Sequence, residues 1–216
     1  MRALPLTLLF ALPCLAADDG WEVVVKGPIT VKNRAVTDSS IKEVWAEGEI
    51  AAPAPEVQDA LMEVGKLRSY MPYMKDAREL GERLADGSIY VYTLIDLPVV
   101  GKRDYITRLW LRESLAPDGT GTFRNEWHAF PDFTPRRQGI TRVEHNDGSW
   151  VITPLPGGAK CWAVYRFTVD PGGWIPAFAA NMGNERGVRE TFEAVAKEGQ
   201  RRFALRGATG TVRAQP

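Results

Sequence analysis

Apolar residues recur along this chain with two periods, and the change from one to the other marks out its elements. Residues 21–26, 29–32 and 44–50 are rich in β-branched side chains, with Gly27-Pro28 breaking the first run from the second, and they predict three early strands. The period then lengthens. Behind Ala52-Pro53-Ala54-Pro55, the residues Val57, Ala60, Leu61 and Val64 fall on one face of a helix that Gly65 ends or bends. Tyr70-Met71-Pro72-Tyr73-Met74 is apolar but interrupted by proline and reads as a packed loop. From Ser88 the period of two returns, in runs at 88–95, 105–112, 122–129, 140–145, 149–153 and 160–169. The separators include Ala116-Pro117-Asp118-Gly119, Asn146-Asp147-Gly148 and Pro156-Gly157-Gly158, and Asp147-Gly148 is the strongest hairpin signal among them. An antiparallel sheet is the economical arrangement.

Alternation assigns faces to these strands. Tyr105, Thr107, Leu109 and Leu111 share one side, with Asp104, Arg108 and Arg112 on the other. Phe123, Asn125, Trp127 and Ala129 oppose Arg124, Glu126 and His128, while Cys161, Ala163, Tyr165, Phe167 and Val169 oppose Lys160 and Arg166. The inward face is therefore aromatic with a few polar atoms.

The turn sequence Asp170-Pro171-Gly172-Gly173 closes the strand series, and Phe178, Met182, Val188, Phe192, Val195 and Phe203 then recur close to the helical period. Glu185, Arg186, Arg189, Glu190, Glu193, Lys197 and Arg201 form the opposite, solvated face. Small residues on this helix, among them Ala179, Ala180, Gly183 and Gly187, fit either close packing on a sheet or a space beneath it. Residues 204–216 carry no sustained apolar face and are expected to form a disordered tail.

Composition narrows the function. The 216 residues hold 27 Lys plus Arg against 27 Asp plus Glu, so no global field attracts a polyanion, and no nucleic-acid partner is expected. Residues 1–17, with Arg2, the apolar stretch from Leu4 to Leu12 and Leu15-Ala16-Ala17, have the form of a secretory signal. Export follows as an expectation, to the periplasm in a bacterium and otherwise by secretion, with a single domain over 18–203. Signal removal leaves Cys161 as the only cysteine, which excludes an intramolecular disulfide and suits a small buried apolar role. The two histidines, His128 and His145, lie on outward faces, and neither H-E-x-x-H nor G-x-S-x-G occurs. No metal, cofactor or catalytic residue is expected, and the chain reads as a non-enzyme.

Three stretches carry a resemblance. Gly101-Lys102-Arg103-Asp104-Tyr105-Ile106, then Gly139-Ile140-Thr141-Arg142-Val143-Glu144-His145 with Trp150-Val151-Ile152-Thr153-Pro154-Leu155 after it, and finally Asp170 to Asn181, stand in the order and spacing of the START (StAR-related lipid transfer) family of the helix-grip superfamily. The resemblance runs over about 41–203. It implies an α+β helix-grip fold, in which a long curved antiparallel sheet wraps around the C-terminal helix and encloses an apolar cavity for one lipid. The polar pair with which some members orient a lipid has no clear equivalent, because Arg108 falls on the outer face and Asp96 at a strand end.

On that reading the cavity is lined by Thr107, Leu109, Asn125, Trp127, Tyr165 and Phe167 from the sheet, and by Phe178, Met182, Val188 and Phe192 from the helix. The gate comprises Leu97, Val99 and Val100 at an apolar loop tip, Arg103 beside it, and Gly172 and Gly173 as a hinge. Arg103 and Asp104 have a second reading, a solvent-side salt bridge that fixes the loop. The expected partners are a sterol, phospholipid or fatty-acid-like ligand and, transiently, a membrane surface, with the chain itself a monomer. Two alternatives stay open: a polyketide cyclase-like enzyme pairing Tyr165 with Arg142 or Glu144, and an exported interaction module whose core is filled.

Overall fold

A computed structural model describes residues 20–37, 41–173, 175 and 186–211. The expected signal at 1–17 and the candidate helix residues Phe178 and Met182 lie outside the described residues. Gly27-Pro28 turns strand β1 (Glu22–Val25) back onto β2 (Ile29–Ala35), which pairs with β3 (Lys42–Ile50). Helix α1 (Ala54–Met62) follows, with proline in its first turn where a missing N–H costs nothing, and the short α2 (Val64–Leu67) contains Gly65. The sheet then continues through β4 (Met74–Leu80), β5 (Ile89–Leu97), β6 (Gly101–Glu113), β7 (Phe123–Ala129), β8 (Thr141–Arg142), β9 (His145–Pro154) and β10 (Cys161–Asp170). Helix α3 (Val188–Thr211) ends the described chain.

The ten strands form one sheet in the order β1-β2-β3-β10-β9-β7-β6-β5-β4, with β8 beside β6. All pairings are antiparallel except that of β8, whose Thr141 and Arg142 run parallel to Arg103 and Asp104. The expected α+β sheet with a C-terminal helix is therefore the observed one. Helix α3 lies against α1, where a Cβ on Gly199 would come within 2.9 Å of Val57 Cγ2. Phe192 and Val195 of α3 join Val31, Val44, Ile50, Val57 and Ile152 in the core. No described helix is long and apolar enough to cross a membrane.

Four local expectations change. The Asn146-Asp147-Gly148 triplet makes no turn but lies inside β9, with Gly148 opposite both Trp127 and Phe167. The strand expected at 140–145 is split, with Thr141 and Arg142 forming β8 and His145 opening β9. Strand β4 occupies a stretch with no apolar alternation, because an edge strand paired only with β5 carries Lys75, Asp76, Arg78 and Glu79 without burying them. The helix also runs eight residues past Phe203, where a disordered tail was expected, and charge rather than apolar burial holds that turn: Arg206 bridges Glu56 at 2.7 Å and Asp59 at 2.9 Å on α1.

Candidate functional site

The inner faces of β5, β6, β7, β9 and β10 do not close completely on the helices. A cavity of about 720 Å3 remains between them, bounded also by the 71–74 loop, the ends of α1 and α2, and the start of α3. Alternation places its sheet wall. Thr107 and Leu109 of β6, Asn125 and Trp127 of β7, and Tyr165 and Phe167 of β10 all face it, as does Val188 of α3. Phe192 does not line the cavity; it is fully buried in the core, its ring centroid 5.5 Å from that of Trp150.

The wall is built around stacked aromatic rings. Trp150 and Tyr165 lie parallel within 6° at 4.4 Å between centroids, and Phe167 stacks on Tyr165 at 4.7 Å. Trp127 completes this surface, its indole N–H donating to Asn146 Oδ1 at 3.0 Å. Asn125, buried at 2 % exposure, is held by Gln58 of α1 through two reciprocal amide bonds of 2.7 and 2.9 Å. That exchange satisfies both amides and fixes the orientation of Asn125 toward the cavity. Tyr105 contributes a second phenol, hydrogen-bonded to Thr93. Burial raises the pKa of both Tyr105 and Tyr165, so both remain protonated donors.

The mouth lies where two loops meet. Pro98, Val99 and Val100 connect β5 to β6, and the Val100 N–H donates to the Pro98 carbonyl at 2.8 Å around a Val99 held at φ +70°. Leu97, Val99, Val100 and Gly173 border the cavity, and Val99 is 73 % exposed. Arg103, only 2 % exposed, ties this tip to the 170–173 turn. Its Nε donates to the Pro171 carbonyl at 2.9 Å and Nη2 to the Gly172 carbonyl at 3.2 Å, while Nη1 reaches the carbonyls of Val100 and Gly101. Gly172 takes φ +66°, and its N–H is capped by Asp170 Oδ1 at 2.9 Å.

The solvent-side salt bridge considered for Arg103 and Asp104 is absent. Neighbours on a strand point to opposite faces, so Asp104 lies on the outer side, where it pairs with Arg142 at 2.8 and 3.1 Å with both side chains 1 % exposed. Arg142 also takes the carbonyls of Pro131, Thr134 and Pro135, so this buried pair anchors the loop that covers it. Arg142 is thereby separated from Tyr165 by the sheet, and Glu144 is exposed and bound to Arg136 at 2.8 Å. Neither Tyr165 with Arg142 nor Tyr165 with Glu144, the pairings named for a cyclase-like reading, is brought together. Cys161 is buried beside β3, and burial pushes its thiol up to about 12, which leaves it without thiolate character.

Several lining residues were not singled out in the sequence. Trp150, Thr93 and Asn146 sit on strands whose alternation would have offered them. Leu61, Val64 and Leu67 come from the helix ends, and Met71 and Met74 from the proline-broken loop, where no periodic signal exists.

No family model and no curated protein sequence matches the chain. Solved structures do match. The STAR-related lipid transfer protein fragment from Xanthomonas axonopodis superposes with a TM-score of 0.72 at 26% identity, over 84% of this chain and 99% of that one. Human StAR-related lipid transfer protein 5 gives 0.74 at 17% identity, over 85% and 88%. The Zhui aromatase/cyclase from a Streptomyces species gives 0.53 at 19% identity, over 75% and 95%. The chain has the START helix-grip fold, an architecture that carries both lipid-transfer proteins and a cyclase.

Proposed function

We propose that the protein is an exported, non-catalytic lipid carrier that holds one hydrophobic molecule in the cavity and exchanges it at a membrane surface through the 97–101 mouth. The observation that carries this reading is the cavity itself: about 720 Å3 of space behind stacked aromatic rings, opening beneath an exposed apolar tip. Each methylene moved from water into such a space contributes about 0.8 kcal/mol. Ten of them supply about 8 kcal/mol before the cost of immobilising the ligand. A close-packed core would not retain that volume without a use for it. The lipid-transfer proteins among its structural neighbours support the same reading.

The exposed tip supplies the means of exchange. Val99 projects into solvent from a conformation that β-branched residues avoid, next to Pro98 and Val100, and an apolar tip of this kind is suited to entering a lipid headgroup layer. Native purification followed by lipid extraction and mass spectrometry tests the proposal. A stoichiometric co-purified lipid, together with transfer between donor and acceptor vesicles, is expected. A protein that purifies empty and takes up no lipid from vesicles would leave the interaction-module reading in its place.

A further inference from the structure

Resting on the lipid-carrier reading, the pattern of hydrogen-bond donors around the cavity specifies the ligand's head. Arg103 is a buried cation with no counter-charge: among the described residues no carboxylate bonds to it, and desolvation alone acts on its ionisation, downward. Buried charges are ordinarily paired, because carbonyl dipoles offset only part of the lost hydration. Four of its five N–H groups reach carbonyl oxygens, at Pro171, Val100, Gly101 and Gly172, and one Nη2 N–H has no acceptor among the described residues. Among the described residues the Tyr165 hydroxyl likewise has no hydrogen-bond partner, and burial raises its pKa. Among the described residues the charged groups bordering the same space are Lys42, Arg103, Arg186 and Asp170; Arg186 is paired with Glu190 at 2.7 Å, and Asp170 accepts from the Gly172 N–H. Among the described residues, Arg103 is thus a buried positive charge facing this space without a carboxylate partner.

We infer that the cavity takes a single-chain amphiphile with an anionic head, its oxygen atoms accepting from Arg103 at the mouth and its chain running along the inner face of β6 toward Leu109. The strand from Arg103 to Leu109 spans about 20 Å, which sets the scale of the chain. An uncharged head would leave the guanidinium without a counter-charge. A fatty-acid carboxylate and an alkyl phosphate share the required chemistry.

The two sources are separated by measuring binding of hexadecanoate, hexadecyl phosphate and 1-hexadecanol to the full protein, using the fluorescence of its tryptophans. A preference of about tenfold or more for at least one anion over the alcohol is expected, the scale of a charge-assisted hydrogen bond, and the preferred anion identifies the head. Arg103→Gln should abolish that preference while the alcohol still binds, and Arg103→Lys should restore part of it. Because Arg103 also joins the two loops, the wild-type protein supplies an independent readout. Lowering the pH through the ionisation of hexadecanoate should remove its advantage and leave the alcohol unchanged. Among the described residues, the other charged groups bordering the cavity are Lys42, Asp170 and Arg186. Equal wild-type affinity for acids and alcohol, or a preference that survives in Arg103→Gln, overturns the inference. Failure of all three ligands to bind would instead remove the carrier reading on which it rests.

Discussion

Gly148 of β9 lies directly across from Trp127 of β7, and the indole rests on the bare backbone at that position. A Cβ there would overlap Trp127 Cζ2 and stand 2.5 Å from the Arg166 carbonyl oxygen and 2.7 Å from Phe167 Cβ. Two of these neighbours wall the cavity, and the third is backbone that cannot yield cheaply. Gly148→Ala should therefore destabilise the fold by about 1–3 kcal/mol or more and disturb the aromatic wall. Urea denaturation measures the first effect and ligand affinity the second. An unchanged midpoint would mean that the strands separate more easily than their register implies.

The same glycine shows where the sequence could be read and where it could not. Alternation placed Thr107, Leu109, Asn125, Trp127, Tyr165 and Phe167 on the inward face, and the START resemblance made that face a cavity wall; the cavity borders all six. Asp147-Gly148 misled, since the residue that allows a tight turn also allows a close approach of strands, and only the partner across the sheet tells them apart. Here the flanking side chains act as a cap: Asp147 Oδ1 accepts from the Ala129 N–H at 2.8 Å and Asn146 from Trp127. Strand β4 escaped notice because charge conceals an edge strand. Arg103 was legible as inward by its parity with Tyr105, but its charge argued for solvent, and two of the four carbonyls that receive it come from residues 68 and 69 positions away. The last turns of α3 depend on Arg202 meeting Glu63, just after α1, and Arg206 meeting Glu56 on it, pairings that a helical period does not show.

Asp104 and Arg142 should behave as a unit. Both are 1 % exposed, so removing either leaves a buried charge with no partner. Asp104→Asn or Arg142→Met is expected to cost about 3–5 kcal/mol, and the double replacement Asp104→Leu with Arg142→Met should cost less than the two changes added together. A double-mutant cycle in denaturant checks this. Strict additivity would assign the stability to the carbonyl contacts of Arg142 alone.

At the mouth, Val99 exchanges stability for exposure. Its φ of +70° is closed to β-branched side chains without strain of about 1–3 kcal/mol, and glycine takes it freely. Val99→Gly should raise the melting temperature yet slow lipid exchange between vesicles, because the apolar side chain that enters the headgroups is gone. Val99→Asp combined with Val100→Asp should slow exchange further and leave the melt nearly unchanged. Exchange at the wild-type rate in both variants would remove the membrane role of the tip.

Glu63 fixes an acid limit to the seam between α1 and α3. Hydrogen bonds from Arg202, at 2.8 and 3.0 Å, and the ammonium of Lys66, at 2.6 Å, hold its carboxyl down to about 2, from 4.5 in an unpaired glutamate. A pKa lowered by folding gives stability that is complete above about pH 4.5 and is lost as the pH falls toward 2. The side chain is 41 % exposed, so solvent screening keeps the contribution well below what the shift alone would give. Glu63→Gln should lower stability at neutral pH by about 1 kcal/mol or less and flatten the decline between pH 5 and pH 2, with added salt narrowing the difference between the two proteins. Denaturant midpoints across that range decide it: curves that remain parallel down to pH 2 would show that the Arg202–Glu63 contact adds no measurable stability and that Arg202 is held by Glu198 of its own helix.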